Sequence, residues 1–306
     1  MSEQRKPQEP WVGAGEMDCQ AADLTATVSG EATLADVQKE LARFDQWVPV
    51  DGDEQLPMGQ LVEENSSGAL RLGYGAWRDL LLGCQFRLAR GELITAGGRT
   101  VKNVAGYDLT KFMVGQRGLF GKIVTLTMRT YKRPAAGLAA RFEPTDQFVG
   151  KILATNLRPR WAILTAKELW CGWLDSAAAV EFFAGRFSEY RPAEIVRQTL
   201  EQDIAMRGRL WVNGTEGFRA SVPPVRILEF AERGKLRNWS ADAAFGIVRG
   251  NLSAENEEII QRAAIDVGGS VYFFQPGRRP RWNASNEERA ILGRLAAAFG
   301  VIGWGG

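Results

Sequence analysis

Polar and apolar positions alternate along Leu24-Thr25-Ala26-Thr27-Val28-Ser29, the period of a strand, and Gly30 ends the run. The period then lengthens. Leu34, Val37, Leu41 and Phe44 recur at helical spacing, Thr33 stands at an N-cap position and Asp36 in the first turn, which predicts a helix over 34–43. Trp47-Val48-Pro49-Val50 reads as a short extended piece and Asp51-Gly52-Asp53 as a turn. A short helix over 56–64 and a loop, Asn65-Ser66-Ser67-Gly68, follow. Residues 77–88 read as a turn feeding a buried strand, 89–92 as a hairpin tip and 93–96 as the return strand. Residues 109–114 are helical in pattern, and 122–131 alternate as a long strand. Pro134, with Ala135-Ala136-Gly137 after it, marks a domain boundary. Residues 1–20 have little periodicity and read as a polar leader, leaving 21–134 and 135–306 as two domains.

Beyond residue 135 the helices lengthen and tryptophan becomes more frequent. The pattern gives a strand over 138–142, a helix over 146–155, a strand over 162–169 with its partner over 169–174, and a helix over 176–190. In that helix Val180, Phe182, Phe183 and Phe187 are available to a core. The order recurs, with strands at 210–213 and 225–228, a helix at 229–235, a strand at 243–248, a helix at 253–266, a strand at 269–274 and a helix at 285–299. Two such units imply an antiparallel sheet with helices on one side. Only the order of elements repeats, not the residues.

Composition narrows the function. A chain of 306 residues with 45% apolar content can fill two cores. A net charge of +2, with no basic block, gives no footprint for nucleic acid. No apolar stretch approaches the ~20 residues of a spanning helix, and the first ten residues lack the apolar core of a signal peptide. Cys19, Cys84 and Cys171 are odd in number and far apart, which suits reduced thiols in the cytoplasm and no metal site. Histidine is absent. That removes the commonest general base, the commonest metal ligand and the usual covalent tether for a flavin. Redox chemistry must then come from a bound cofactor or a partner subunit.

The densest chemical signal is Gly97-Gly98-Arg99-Thr100-Val101-Lys102-Asn103-Val104-Ala105-Gly106-Tyr107-Asp108-Leu109, followed by Gly115-Gln116-Arg117-Gly118-Leu119-Phe120-Gly121. Glycines here let backbone pass close to a polyanionic ligand with successive N–H groups aimed at it. The competing reading is a glycine-rich turn between strands. No Gly-X-Gly-X-X-Gly opens a helix after a strand, which argues against a nicotinamide site.

Several segments keep a shared order: Ala26-Thr27-Val28-Ser29-Gly30 with Leu34-Ala35-Asp36-Val37; Val48-Pro49-Val50-Asp51; Asn65-Ser66-Ser67-Gly68 with Leu70-Arg71-Leu72-Gly73-Tyr74-Gly75 and Arg78-Asp79; and Lys102-Asn103-Val104-Ala105-Gly106-Tyr107-Asp108-Leu109 with Gly118-Leu119-Phe120-Gly121. On these, the stretch from 26 to 134 resembles the FAD-binding domain of the p-cresol methylhydroxylase / vanillyl-alcohol oxidase superfamily, and within it the FAD-binding E subunits of bacterial glycolate oxidases. The resemblance implies an α+β fold: a FAD-binding domain with a shortened N-terminal subdomain, then a ferredoxin-like antiparallel-sheet cap domain. It implies non-covalent FAD and partners in a complex, namely a catalytic flavoprotein and an iron–sulfur subunit. Any peripheral attachment to the inner face of the membrane would come through those partners.

The resemblance also implies which residues hold FAD. Asn65, Ser66, Ser67, Gly68 and Arg71 face phosphate or ribitol, while Pro49, Val50, Gly59, Ile123 and Val124 wall the rings. Gly98, Asn103, Gly106, Tyr107, Asp108, Gly118 and Gly121 line the site, and Lys102 stabilises negative charge on the reduced flavin. Read as residues alone, 65–68 equally caps the preceding helix, Lys102 is solvated, Arg71 and Arg78 pair with surface carboxylates and Tyr107 packs.

Three departures set this chain apart. About twenty residues precede the first matched strand, and Val12-Gly13-Ala14-Gly15 stands in for the family's phosphate loop. Pro57-Met58-Gly59-Gln60 replaces a Thr-Ile-Gly-Gly turn, and the chain closes on Val301-Ile302-Gly303-Trp304-Gly305-Gly306 rather than Asn-Pro-Gly-Arg. Without histidine it lacks the His-based catalytic site of its relatives. The expected role is an electron-relaying FAD subunit of a complex that oxidises 2-hydroxy acids such as glycolate. The alternatives are a structural subunit without FAD and an autonomous oxidoreductase.

Overall fold

The computed structural model describes residues 9–66, 68–98, 109–212, 217–252, 256–274, 281–282 and 286–300. It divides into two compact units. Unit 1 takes in Met1–Ser67, Gly75–Arg133 and Ala284–Gly306, and unit 2 takes in Gly68–Tyr74 and Pro134–Asn283.

Unit 1 is built on strands β1 (Met17–Gln20), β2 (Thr25–Ser29), β4 (Leu81–Arg87), β5 (Leu93–Gly97) and β6 (Lys122–Arg129), with a separate pair, β3 (Gln46–Trp47) and β7 (Tyr131–Lys132). The larger sheet runs β1-β2-β6-β4-β5, every neighbour antiparallel. Its centre is buried on both faces: Val28 and Leu126 enter the core, while Thr27 and Thr127 share a 2.8 Å hydroxyl hydrogen bond on the other side. Thr33 caps the helix Leu34–Ala42 by accepting the Asp36 N–H at 3.1 Å, and Leu34, Val37 and Leu41 are buried. Phe44 lies past the end of that helix and is 43% exposed, so the expected apolar stripe stops at Leu41.

The expected polar leader ends in structure. β1 pairs with β2, and just upstream the buried Gln85 amide holds both sides of a peptide stretch, accepting the Trp11 N–H at 2.7 Å and donating to the Glu9 carbonyl at 3.0 Å. A side-chain amide here does what a neighbouring strand would do. The helix Asn286–Ala298 also belongs to unit 1, and Phe299 behind it stacks on Phe112 at a centroid distance of 5.6 Å and meets Phe120, tilted, at 5.0 Å.

Unit 2 carries β8 (Ala136–Phe142), β9 (Trp161–Thr165), β10 (Leu169–Asp175), β11 (Glu194–Gln198), β12 (Gly217–Ser221), β13 (Trp239–Asp242), β14 (Ile247–Gly250), β15 (Ser270–Phe274) and β16 (Arg281–Trp282). They form one antiparallel sheet of nine strands in the order β11-β8-β10-β9-β13-β14-β12-β15-β16. Its two halves are alike. Each runs strand–helix–strand–strand–helix–strand, and each lays its fourth, first, third and second strands side by side, the ferredoxin-like order. The halves join through their second strands, β9 and β13.

Helices Phe148–Leu153, Ala177–Phe187, Ile227–Arg233 and Glu257–Asp266 bury apolar stripes on one face of this sheet, over Ala162, Cys171, Ala220 and Ala241. Phe182 points away from that core and is 61% exposed, unlike Val180 and Phe187 beside it. Three expected elements differ. Residues 210–212 are not a strand: Thr199 and Gln202 form a capping box that starts a helix, Leu200–Leu210, while Asn213 lies outside the described residues. Residues 225–228 are helical, because Pro223 and Pro224 pre-set a helical turn there, and the strand lies earlier, at β12. The expected strand 243–248 is the turn and start of the β13–β14 hairpin.

Candidate cofactor site

Unit 1 brings the two glycine-bearing loops together. Helix Met58–Glu63 ends at Asn65, whose φ of 50° is left-handed, and the N–H groups of Asn65 and Ser66 donate to the carbonyls of Val62 and Leu61 at 3.0 and 2.8 Å. This is a Schellman cap. The same helix end receives the second loop: Gly115 N–H donates to the Val62 carbonyl at 3.0 Å and Arg117 N–H to the Glu63 carbonyl at 2.8 Å. A methyl group on Gly115 would stand 3.3 Å from Asn65 Cβ, so the loops lie side by side.

Buried Gln116 closes the second loop on itself, donating to the Gly121 carbonyl at 2.7 Å and accepting the Phe120 N–H at 2.8 Å. Gly118 has a φ of +73° and open space where a side chain would project. Beneath both loops, Gly59 presses its helix onto the sheet, where a Cβ would lie 3.0 Å from the Gly30 carbonyl oxygen and 3.1 Å from that of Ile123. The Glu63 carboxylate accepts the Ile123 N–H at 2.7 Å, and burial raises its pKa despite that bond and the nearby Lys122 charge.

Most polar groups here have partners, and two do not. Asn65 Oδ1 and Thr110 Oγ1 are buried without a hydrogen-bond partner among the described residues. Thr110 stands against Gly97, where a Cβ would meet its hydroxyl at 2.5 Å. A buried polar atom left unpaired costs on the order of 1–3 kcal/mol, so such atoms mark places where a bound group completes the structure. Both lie beside the glycine-rich segments; the Asn65 oxygen can accept from a hydroxyl of a dinucleotide and the Thr110 hydroxyl can donate to its phosphate. These residues fit FAD.

The structure places the other expected ligands variously. Val50 and Ile123 are buried in the core of unit 1, Pro49 is buried as well, and Val124, at the register irregularity of β6, is half-buried. Gly59 and Gly121 are used for close backbone packing, Gly121 against the Arg87 carbonyl. Gly98 stands tight against Gly83 across the β4–β5 end. Ser66 accepts the Trp77 indole N–H on its carbonyl at 2.9 Å. Gly68 and Arg71 belong to unit 2, where the Arg71 guanidinium sits 4.5 Å from the Phe245 ring centroid. Ser67, Lys102, Asn103, Gly106, Tyr107 and Asp108 lie outside the described residues.

Unit 2 holds charged groups that no sequence pattern singled out. On the sheet face opposite its helices, Tyr272, Arg219, Arg249 and Ser240 stand in one row by register, Arg219 directly across from Arg249. Next to them Asp242 is buried, its Oδ1 accepting N–H bonds from Ala244 and Phe245 at 3.1 and 3.4 Å. Burial pushes Asp242 up to about 7, against those two bonds and the charges of Arg71 and Arg219. The signal for β12 and β14 was a short alternation, Phe218-Arg219-Ala220-Ser221 and Ile247-Val248-Arg249-Gly250, easily lost among turns.

The buried carboxyl makes stability depend on pH. A folded-state pKa raised from the ordinary 3.8 contributes stability that is full below that value and lost as pH rises through about 7. Unit 2 should therefore melt at a lower temperature at about pH 8 than at about pH 5. Asp242→Asn keeps the Oδ1 acceptor and removes the titration, so it should raise the melting temperature at the higher pH and leave the lower one nearly unchanged. Asp203, raised in the same direction by burial, keeps part of the slope. Calorimetric scans at the two pH values check this.

Among the described residues no group of His, Cys, Asp or Glu could hold a metal ion, and no helix is long and apolar enough to cross a membrane. Cys19, Cys84 and Cys171 form no disulfide, and burial pushes the Cys171 thiol far up.

No model of a known protein family matches the chain, but individual proteins do. It is 33% identical over 144 residues to the glycolate oxidase subunit GlcD of Bacillus subtilis, covering 45% of this chain and 31% of that one. It is 26% identical over 272 residues to the glycolate oxidase subunit GlcE of Escherichia coli, covering 83% of this chain and 73% of that one. In three dimensions it is similar to an alkyldihydroxyacetonephosphate synthase, with a TM-score of 0.63 at 12% identity over 91% of this chain and 62% of the other. The fold is thus the α+β fold of p-cresol methylhydroxylase type. In sequence the chain is thus similar to glycolate oxidase subunits of the FAD-linked oxidase superfamily. It spans about a third of the length of its GlcD relative and about three quarters of its GlcE relative.

Proposed function

We propose that this chain is the FAD-binding subunit of a 2-hydroxy-acid dehydrogenase complex of the glycolate oxidase kind. It holds FAD non-covalently in unit 1 and relays electrons between a catalytic flavoprotein and an iron–sulfur subunit. Bound FAD would supply the capacity to accept and pass on electrons. The observation that carries the reading is the pair of buried, unpartnered atoms, Asn65 Oδ1 and Thr110 Oγ1, flanking glycine-rich loops zipped together at 2.8–3.0 Å. Asn65 Oδ1 would accept a ribityl or ribose hydroxyl, Thr110 Oγ1 would donate to a phosphate oxygen, and Gly118 would let the backbone approach the ligand. Lys102, Asn103, Gly106, Tyr107 and Asp108 would complete the site on the intervening segment. A cytoplasmic location follows from the partners, with attachment at the inner face of the membrane supplied by them.

One observation favours a second reading, a structural subunit without FAD. The N–H groups of Asn65, Ser66, Gly115, Arg117, Leu119 and Phe120 are all spent inside the protein, which leaves few of these amides for a diphosphate. The absorbance spectrum of the freshly purified full chain separates the two. The FAD reading expects a yellow protein whose flavin passes intact into the supernatant on heat denaturation. A colourless chain that leaves the fluorescence of added FAD unchanged would contradict it and support the structural role.

A further inference from the structure

Within unit 1, one residue holds both ends of the loop that follows Gln116. The Glu63 carbonyl accepts the Arg117 N–H at 2.8 Å, and Glu63 Oε1 accepts the Ile123 N–H at 2.7 Å. Ile123 lies at the register irregularity of β6 against β4, and a side chain rather than a strand takes its N–H. Between these two ties the loop is folded on Gln116. Leu119 N–H donates to the Gln116 carbonyl at 3.0 Å, Phe120 N–H donates to Gln116 Oε1 at 2.8 Å, and Gln116 Nε2 donates to the Gly121 carbonyl at 2.7 Å. The Gly118 N–H, by contrast, has no acceptor among the described residues. Arg117 and Gly118 are both left-handed, with φ of 55° and 73°, and nothing lies within 4 Å of a Cβ placed on Gly118. A spare amide donor therefore stands at an open loop tip that a ligand can approach closely.

From this we infer that Glu63 is a positioning residue: it clasps the loop 117–123 at both ends and so holds the Gly118 N–H toward the diphosphate of FAD. This role deepens the FAD reading above and rests on it. Gln116 shapes the loop from within, whereas Glu63 fixes it to the helix Met58–Glu63, whose C-terminal cap carries Asn65. A clasp closed before the ligand arrives spares binding the cost of ordering that loop.

The test is titration of the full chain and its variants with FAD, read from quenching of flavin fluorescence. Backbone amide exchange of the FAD-free proteins and a thermal melt are recorded alongside. Substitution at position 63 leaves the backbone carbonyl in place and removes only the tie to Ile123. Glu63→Ala should weaken FAD binding about fivefold to tenfold, the worth of one hydrogen bond, and should speed amide exchange across 118–123. Glu63→Gln keeps an acceptor of the same reach and should restore most of both. Glu63→Asp keeps the charge on a shorter arm and should behave as Glu63→Ala does. These last two variants separate reach from charge and decide the matter even where Glu63→Ala fails to fold. Wild-type affinity in Glu63→Asp with a loss in Glu63→Gln would assign the effect to charge and overturn the positioning role. Faster loop exchange with unchanged FAD affinity would place the ligand away from this loop and overturn it too, as would variants unchanged in both readouts. A wild-type chain that leaves flavin fluorescence unchanged overturns the functional reading together with this role, a result seen before any variant is made.

Discussion

Asp203→Ala should cost unit 2 about 3–5 kcal/mol of stability, a large loss for one side chain, and lower its melting temperature by roughly 10 °C. The reason is the number of donors that converge on one buried carboxylate. Its Oδ1 accepts the Trp161 indole N–H and the Gln198 amide N–H, both at 2.8 Å, and its Oδ2 accepts the Arg207 Nε–H at 2.7 Å. Arg207 is almost as deeply buried, and burial pushes the carboxyl up and the guanidinium down in pKa. Trp161 can lie flat on the sheet only because its cross-strand neighbour is Gly172, where any Cβ would fall within the indole ring. Removing the acceptor strands its donors in an apolar surround. Asp203→Asn retains one acceptor oxygen and should lose about half as much. Thermal denaturation followed in the near ultraviolet, where Trp161 reports, measures both; equal and small losses for the two variants would show that the cluster is not what closes this face.

Asn65→Gly should have the largest effect on ligand binding with the least on the fold. Position 65 is the left-handed residue of a Schellman cap, a place that glycine fills without strain, so the helix Met58–Glu63 should be as stable as before or slightly more so. The substitution removes Oδ1, the buried acceptor that has no hydrogen-bond partner among the described residues. If FAD supplies that partner, its affinity should drop about tenfold to a hundredfold, the worth of one or two hydrogen bonds in a buried site. Fluorescence titration gives the affinity and a thermal melt gives the stability. Unchanged affinity with unchanged melting would place the ligand elsewhere.

Much of unit 1 could be read from the residues because its signals are local. Thr33 and Asp36 declare a helix start, and the alternation in β2 and β6 declares strands. A register shift was the finer point: alternation along β6 puts Leu126 and Met128 in the core, and the irregularity between Thr125 and Ile123 brings Ile123 into it as well, so a set of ring-facing residues drawn from adjacency alone takes in a buried side chain. Loop geometry was legible only as alternatives. Asn65 caps its helix with its backbone while its side chain stays unpartnered, so both readings of that segment describe part of what it does.

Unit 2 was legible in its repeating order and less so in its boundaries. The capping box at Thr199 marked a helix that the apolar pattern around Leu210 and Trp211 disguised as a strand. The prolines at 223 and 224 shifted the reading of the following segment in the same way. Arg219, Arg249 and Asp242 escaped notice because nothing local links them. Only the register of β12, β13 and β14 brings them into one row. The division of Asn65 from Arg71 between two units is likewise a tertiary fact that six residues of sequence cannot announce.

The most direct measurement is backbone amide hydrogen exchange on the full chain with and without saturating FAD. The account predicts slower exchange across residues 62–66 and 109–121, with the hairpin tip at 89–92 unaffected. Exchange rates in those two stretches that do not change when FAD is present would contradict it.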